Sequence, residues 1–321
     1  MDWRGGVGKR AVMERPNPLD LKYGHVVFEG KKTAGRRSLA IGGTVRGRGG
    51  AHTRVEPQPS EAERGFLLWL FERAGLDGKR YRWGPLMRRM GACMRALQVE
   101  SMSEARAAIE GRPRLLAEAV EALVIGTTGF FRDADVYECL RERVLPELAG
   151  RGVGIDIWCA GCSDGAELYS VGMLLGEMGE FRGRWLGTDC RARAIGRARR
   201  GVFNETAAAD IGRELGERWL EVQGHGQGQG WRVGSWLRER VEWEVADVFG
   251  CGDVGCWDLV FCRNLAIYLQ GEAAEDLWEL LAKAMRAGGV LVVGKAERPG
   301  KWLGLTRIGS GVYRRQGIFD E

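Results

Sequence analysis

The stretch with the clearest chemical purpose is Trp158-Cys159-Ala160-Gly161-Cys162-Ser163-Asp164-Gly165-Ala166-Glu167. It reads as a strand, a loop of small residues and the start of a helix. Glycine lets a backbone approach a ligand closely, and a helix N-terminus presents N–H groups with no partner inside the helix. The glycine spacing is GxxxG, not the GxGxxG of dinucleotide-binding folds, and no P-loop lysine accompanies it. Thr188-Asp189 closes the next apolar run. An acid at a strand end can accept hydrogen bonds from both hydroxyls of a ribose. Loop and acid together point to an adenosine-containing ligand.

Other chemistries find little support. The three histidines, His25, His52 and His225, lie in Gly-rich or polar stretches, which argues against a His-based triad or a His-rich metal site. Cys159 and Cys162 have CxxC spacing, but no second pair at zinc-finger spacing supports them. They read as small residues at a strand end. The eight cysteines are scattered and no secretory signal precedes them, so free thiols and a cytoplasmic location are expected. No apolar run approaches the ~18–20 residues of a membrane span.

The elements around this loop follow from periodicity. Ser60 with Glu61 and Glu63 reads as an N-cap with acids in the first turn. Phe66, Leu67, Trp69, Leu70 and Phe71 supply its apolar face. Met87, Met90, Met94 and Leu97 recur at helical spacing within 86–97. Ser103 is expected to cap a third helix through Ile109, and Pro113 to open a fourth through Val124. From about residue 131 strands and helices alternate, with strands at 155–159, 184–188, 241–245, 258–262 and 290–294. Helices are expected at 167–178, 192–200 and 272–285. Such alternation implies a parallel sheet covered on both faces. Residues 201–240 break the rhythm, with a Gly/Gln-rich stretch at 224–230 and a short strand at 231–233, and read as an insertion.

The chain has 321 residues, 48 Lys+Arg and 43 Asp+Glu, hence a formal charge of +5. Residues 1–60 carry 12 basic and 5 acidic side chains, a net +7, so the remainder is net −2. The basic character belongs to a Gly-rich N-terminal segment expected to be disordered. The body offers no phosphate-binding footprint of the kind nucleic-acid enzymes need. Expected boundaries are a tail at 1–60, a helical domain at 61–127 and an α/β domain at 128–321 carrying the insertion 201–240.

The motif string resembles the CheR family of chemotaxis-receptor methyltransferases. The resemblance is carried by Thr128-Gly-Phe-Phe-Arg132-Asp133, by Trp158 to Ser170, by Gly187-Thr-Asp189, by Trp257-Asp-Leu-Val-Phe-Cys-Arg263-Asn264-Leu-Ala-Ile-Tyr268-Leu269, and by Ala287 to Gly294 with Glu297. It spans about residues 66–315. It implies an α/β fold: a Rossmann-like class I methyltransferase sheet, a small all-helical N-terminal domain, and a small β-subdomain insertion used for receptor docking. The implied cofactor is S-adenosyl-L-methionine, with S-adenosyl-L-homocysteine as product. Residue matching puts Thr128, Arg132, Gly161, Glu167, Asp189, Asp247, Val248, Arg263 and Asn264 at the cofactor. Glu167 would take its amino group and Asp189 its ribose.

Three positions depart from the family pattern. Gly126 stands where an Asn is usual, Asp247 replaces an Asn beyond the third strand, and Ala166-Glu167-Leu168 replaces Glu-Glu-Pro. Asp247 can accept from an adenine amino group but cannot donate. The implied reaction is methylation of a protein glutamate to a γ-methyl ester. A carboxylate is already ionised at neutral pH, its reference pKa being about 4.3, so no general base is required. Arg132 is the candidate to guide the substrate carboxylate and Tyr268 to line the transfer site. Arg88, Arg89 and Arg95 are candidates to bind acidic receptor helices. The expected partners are chemoreceptor cytoplasmic helices or another acidic protein, with no nucleic acid, no membrane insertion and a monomeric chain. Two alternatives stay open: a different acceptor, or a non-catalytic cofactor-sensing module.

Overall fold

The computed structural model describes residues 58–124, 126, 128–180, 182–223, 230–251 and 257–317. Most of the basic tail, all three histidines and most of the Gly/Gln-rich stretch lie outside the described residues.

Four helices come first: α1 (Glu61–Arg73), α2 (Trp83–Leu97), α3 (Met102–Gly111) and α4 (Leu115–Leu123). Ser60 caps α1 as expected, within a capping box closed by Glu63, a motif contributing about 1 kcal/mol. The cap of α3 is Ser101, not Ser103. Glu104 lies three residues beyond Ser101, so its N–H reaches the Ser101 hydroxyl (3.2 Å) while its carboxylate takes the Glu100 N–H (3.2 Å). Ser103 instead pairs with the Ser101 hydroxyl.

A helical stretch follows as α5 (Ala134–Cys139), a π turn (Leu140–Val144) and α6 (Leu145–Ala149). Then come β1 (Ile157–Ala160), α7 (Ala166–Glu177), β2 (Trp185–Asp189), α8 (Ala192–Arg200) and β3 (Val202–Asn204). Next are α9 (Glu205–Ala208), α10 (Arg213–Trp219), β4 (Leu220–Gln223), β5 (Gly230–Val233), α11 (Ser235–Arg240) and β6 (Val241–Val245). The chain closes with β7 (Trp257–Cys262), α12 (Gly271–Ala284), β8 (Met285–Val293), β9 (Leu305–Gly309) and β10 (Val312–Arg315).

Seven strands form one sheet in the order β6-β2-β1-β7-β8-β10-β9. The first five are parallel; β10 and β9 add antiparallel at the far edge. Side chains alternate across the sheet with the strand period of two. Cys159, Phe261 and Val292 join a core with Val136, Leu140, Leu168 and Tyr169. Their neighbours Trp158, Ala160, Val260 and Val293 join a second core with Leu70, Phe71, Leu86, Leu123 and Leu277. The N-terminal helices and α12 therefore cover one face and α7 the other.

Residues 202–233 contain a separate three-stranded antiparallel sheet, β3-β5-β4. It is anchored on α7, where Trp219 lies over Gly176 and donates its indole N–H to Glu177 (2.8 Å).

Glycine inside β2 also has a packing cause. A Cβ at Gly187 would sit 2.4 Å from the Trp243 ring of β6. The same ring would meet a Cβ at Gly165 at 2.3 Å.

Candidate active site

Parallel α/β sheets bind ligands at the carboxyl ends of their strands, where the connections diverge to either side. Here that point is β1, flanked by β2 and β7. The residues just past these strand ends converge on one cleft. Gly161 and Ser163 follow β1, Asp189 ends β2, Asp247 follows β6, and Arg263, Asn264 and Leu265 follow β7. The other wall comes from the helical region: Tyr81, Arg82, Leu86, Leu123, Val124, Gly126 and Thr128. Tyr268 lines the cleft as well. Its carbonyl accepts from the Arg82 N–H (2.8 Å), beside a β-bridge between Tyr81 and Leu269.

Backbone geometry around the cleft is unusual in a consistent way. Phe131, Asp133, Ser163 and Asn264 all have positive φ, between 47° and 63°. Such residues cost energy and persist where surroundings fix them. Asn264 is fixed by Glu297, which is 3% exposed. That carboxylate accepts from the backbone N–H of Asn264 (2.7 Å), Ala266 (2.8 Å) and Gly294 (2.7 Å). Phe131 is held through its N–H, which donates to the Ser170 hydroxyl (3.0 Å).

Charge is concentrated at the cleft floor. The Arg263 guanidinium, 1% exposed as a side chain, pairs with both Glu167 and Asp133. Glu167 opens α7 at the helix N-terminus and is 5% exposed. Burial pushes its carboxyl above the usual range, and Arg263 and then Arg132 oppose that rise. Burial likewise raises Asp164 and Asp247, against backbone hydrogen bonds that favour their ionised forms. Asp247 accepts from the Phe249 N–H (3.5 Å) and so also caps a 3-10 turn. Cys159 and Cys162 are buried, and burial pushes their thiols up, which keeps them protonated.

Of the residues proposed from sequence, Thr128, Gly161, Glu167, Asp189, Asp247, Val248, Arg263, Asn264 and Tyr268 line this cleft. Arg132 stands outside its lining, although its charge reaches Glu167. Arg88, Arg89 and Arg95 lie on α2, away from the cleft lining. Arg88 and Arg95 are exposed, whereas Arg89 donates its Nε–H to the Ala122 carbonyl (3.0 Å) and helps hold α2 against α4. Sequence reasoning missed Tyr81, Ser163 and Arg191. Arg191 follows Asp189 by two residues, a local acid–base pair that was the one available signal.

The cleft suits an adenosine-containing methyl donor. Two buried polar atoms in its lining, Thr128 Oγ1 and Arg263 Nε, have no partner among the described residues. Gly161, at φ 71°, brings bare backbone to the floor. Sheet, loop and cleft fit an S-adenosylmethionine-dependent methyltransferase, and comparison with known proteins shows that class. Residues 126–302, more than half of the chain, match the family model described as CheR methyltransferase, SAM binding domain, and the protein belongs to that family. Relatives agree. "Chemotaxis protein methyltransferase 1" of Pseudomonas aeruginosa is 30% identical over 65% of this chain and 80% of its own length. "Chemotaxis protein methyltransferase Cher2" of Pseudomonas putida is 28% identical over the same shares. "Probable biofilm formation methyltransferase WspC" of Pseudomonas aeruginosa is 29% identical over 72% of this chain and 56% of its own. No helix among the described residues is long and apolar enough to cross a membrane.

One consequence concerns pH. Glu167 and Asp247 accept hydrogen bonds in their ionised forms, and burial lifts both above the ordinary carboxylate values of about 3.9–4.3. Acidification should therefore weaken binding of S-adenosylhomocysteine before exposed carboxylates titrate. Calorimetric titrations from about pH 8 down to about pH 5 check this. An affinity unchanged across that range would contradict it.

Proposed function

We propose that the protein transfers methyl groups to glutamate side chains of chemoreceptor cytoplasmic domains. The observation that carries this reading is the similarity to chemotaxis protein methyltransferases over about two thirds of this chain and 80% of those proteins. The cofactor supplies an electrophilic methyl group on a sulfonium. The acceptor carboxylate is already ionised at neutral pH and needs no base to become a nucleophile. No proton moves, so the chain's own work is binding, orientation and exclusion of water.

Within this reading Thr128, Glu167, Asp189, Asp247, Val248, Arg263 and Asn264 hold the cofactor. Tyr268 lines the transfer point, and Arg132 orients the incoming carboxylate. Arg88 and Arg95 steer acidic helices by long-range attraction that salt would weaken. Arg89 is better explained by its bond to α4.

Purified protein, methyl-labelled cofactor and receptor cytoplasmic domains should yield base-labile label on the receptor. Arg132→Ala should lower the labelling rate by about tenfold or more, the range expected when an orienting charge is lost. Absence of label on every receptor domain, with intact S-adenosylhomocysteine binding, would overturn the receptor assignment. The similarity to the biofilm-formation methyltransferase favours one second reading, the same esterification on a receptor outside chemotaxis. Label confined to such a receptor would select it.

A further inference from the structure

Asp189 ends β2 where a ribose acceptor belongs, but its carboxylate is already saturated. Oδ1 accepts from the Arg191 backbone N–H and from Arg191 Nε–H, both at 2.9 Å. Oδ2 accepts from the Ser163 N–H at 2.8 Å and from Arg191 Nη2 at 3.0 Å. A carboxylate offers about four lone-pair sites, and all four are taken. Arg191 is 4% exposed and lines the same cleft.

Two further observations bear on this pair. The first is Gly126, across the cleft. A Cβ there would lie 1.9 Å from Arg191 Nη2 and 2.4 Å from its Cζ. The guanidinium thus occupies room that exists only because residue 126 has no side chain. The second is Glu121 on α4. Its Oε1 lies 3.8 Å from Arg191 Nη1 and accepts from Arg197 (2.6 Å). Its Oε2 is buried and has no partner among the described residues. A carboxylate oxygen with no partner beside a guanidinium is a second seat for that cation.

We propose that Arg191 is an internal competitor for the cofactor's ribose, seated on Asp189 in the free protein and displaced toward Glu121 when the ribose binds. Gly126 permits the first seat and Glu121 supplies the second. The inference rests on Asp189 as ribose acceptor and is independent of which protein is methylated. Displacement couples cleft occupation to α4, because the released guanidinium then ties the α/β region to the helical wall. Arg191 is a positioning residue: it acts on the cofactor through Asp189. Its presence lowers cofactor affinity in return for a carboxylate kept aligned in the free protein.

Calorimetry with S-adenosylhomocysteine tests this without reference to turnover. Arg191→Ala and Gly126→Ala should each bind it about tenfold tighter, the gain expected when one charge-assisted contact no longer has to be broken. Gly126→Ala acts by expelling the guanidinium, so it keeps the test decisive should Arg191→Ala fold poorly. The gain should vanish for the 2′,3′-dideoxy analogue, which lacks the competing hydroxyls. Glu121→Gln should weaken binding in the parent and leave Arg191→Ala unaffected. If Gly126→Ala, folded by circular dichroism, binds no tighter than the parent, the proposal is wrong. Asp189→Asn should abolish tight binding; unchanged affinity there would remove the ribose reading itself, and the competitor with it.

Discussion

Replacing Arg263 by Ala is expected to destabilise the protein by about 3–5 kcal/mol and to abolish cofactor binding. The guanidinium is 1% exposed and serves two carboxylates, Glu167 and Asp133. Its loss would leave Glu167 charged in a buried site with its main counter-charge gone, which is the costly way to break a buried ion pair. The deficit should depend on pH with a definite sign. Burial already raises the Glu167 carboxyl, and without Arg263 the rise would be larger. The folded state then binds a proton more tightly than the unfolded state, so stability of the variant recovers as pH falls through the raised value. Urea unfolding at neutral and mildly acidic pH measures both effects. A loss below about 1 kcal/mol, or a deficit that grows on acidification, would show that the pair is better solvated than its burial indicates.

Gly165→Ala is the second substitution with a large expected effect. Gly165 precedes α7 at φ 86°, a conformation that costs a residue bearing a Cβ roughly 1–2 kcal/mol. The added methyl would also meet the Trp243 ring at 2.3 Å, and overpacking of this kind costs typically about 1–3 kcal/mol. Strain and clash act on the loop that carries Ser163 and leads into Glu167, so the expected result is a loss of about 2–5 kcal/mol together with weakened cofactor binding. Thermal unfolding and S-adenosylhomocysteine titration would report them separately. Retained affinity with lowered stability would mean that the loop recovers its shape by moving Trp243.

The fold was legible in the sequence where the information is local. Helix α8 and strand β6 agree with their expected limits because apolar spacing and flanking residues encode them directly. The small-residue loop and the acid at the end of β2 could be read for the same reason. Other features depend on residues distant in the chain. The occupancy of Asp189 by Arg191 needs the gap at Gly126. The use of Arg89 depends on the end of α4 lying beside it, and Glu297 acts on a loop that follows a different strand. The Ser101 cap was local and still missed, because two serines compete and only the three-residue spacing to Glu104 decides between them. The β9–β10 hairpin carried no strong alternation, and its place at the sheet edge follows from pairing with β8.

The contact between Gly187 and Trp243 limits how this sequence can change. Gly187 shows no left-handed backbone, so crowding forbids a side chain there, chiefly from the indole above it and to a lesser degree from the Cys162 sulfur at 3.2 Å. The two positions are therefore substituted in a fixed order. A smaller residue at 243 can be accepted first and opens space at 187; the reverse order passes through a clash inside the sheet. A lineage that kept tryptophan at 243 would hold glycine at 187 for packing reasons that have nothing to do with the cofactor.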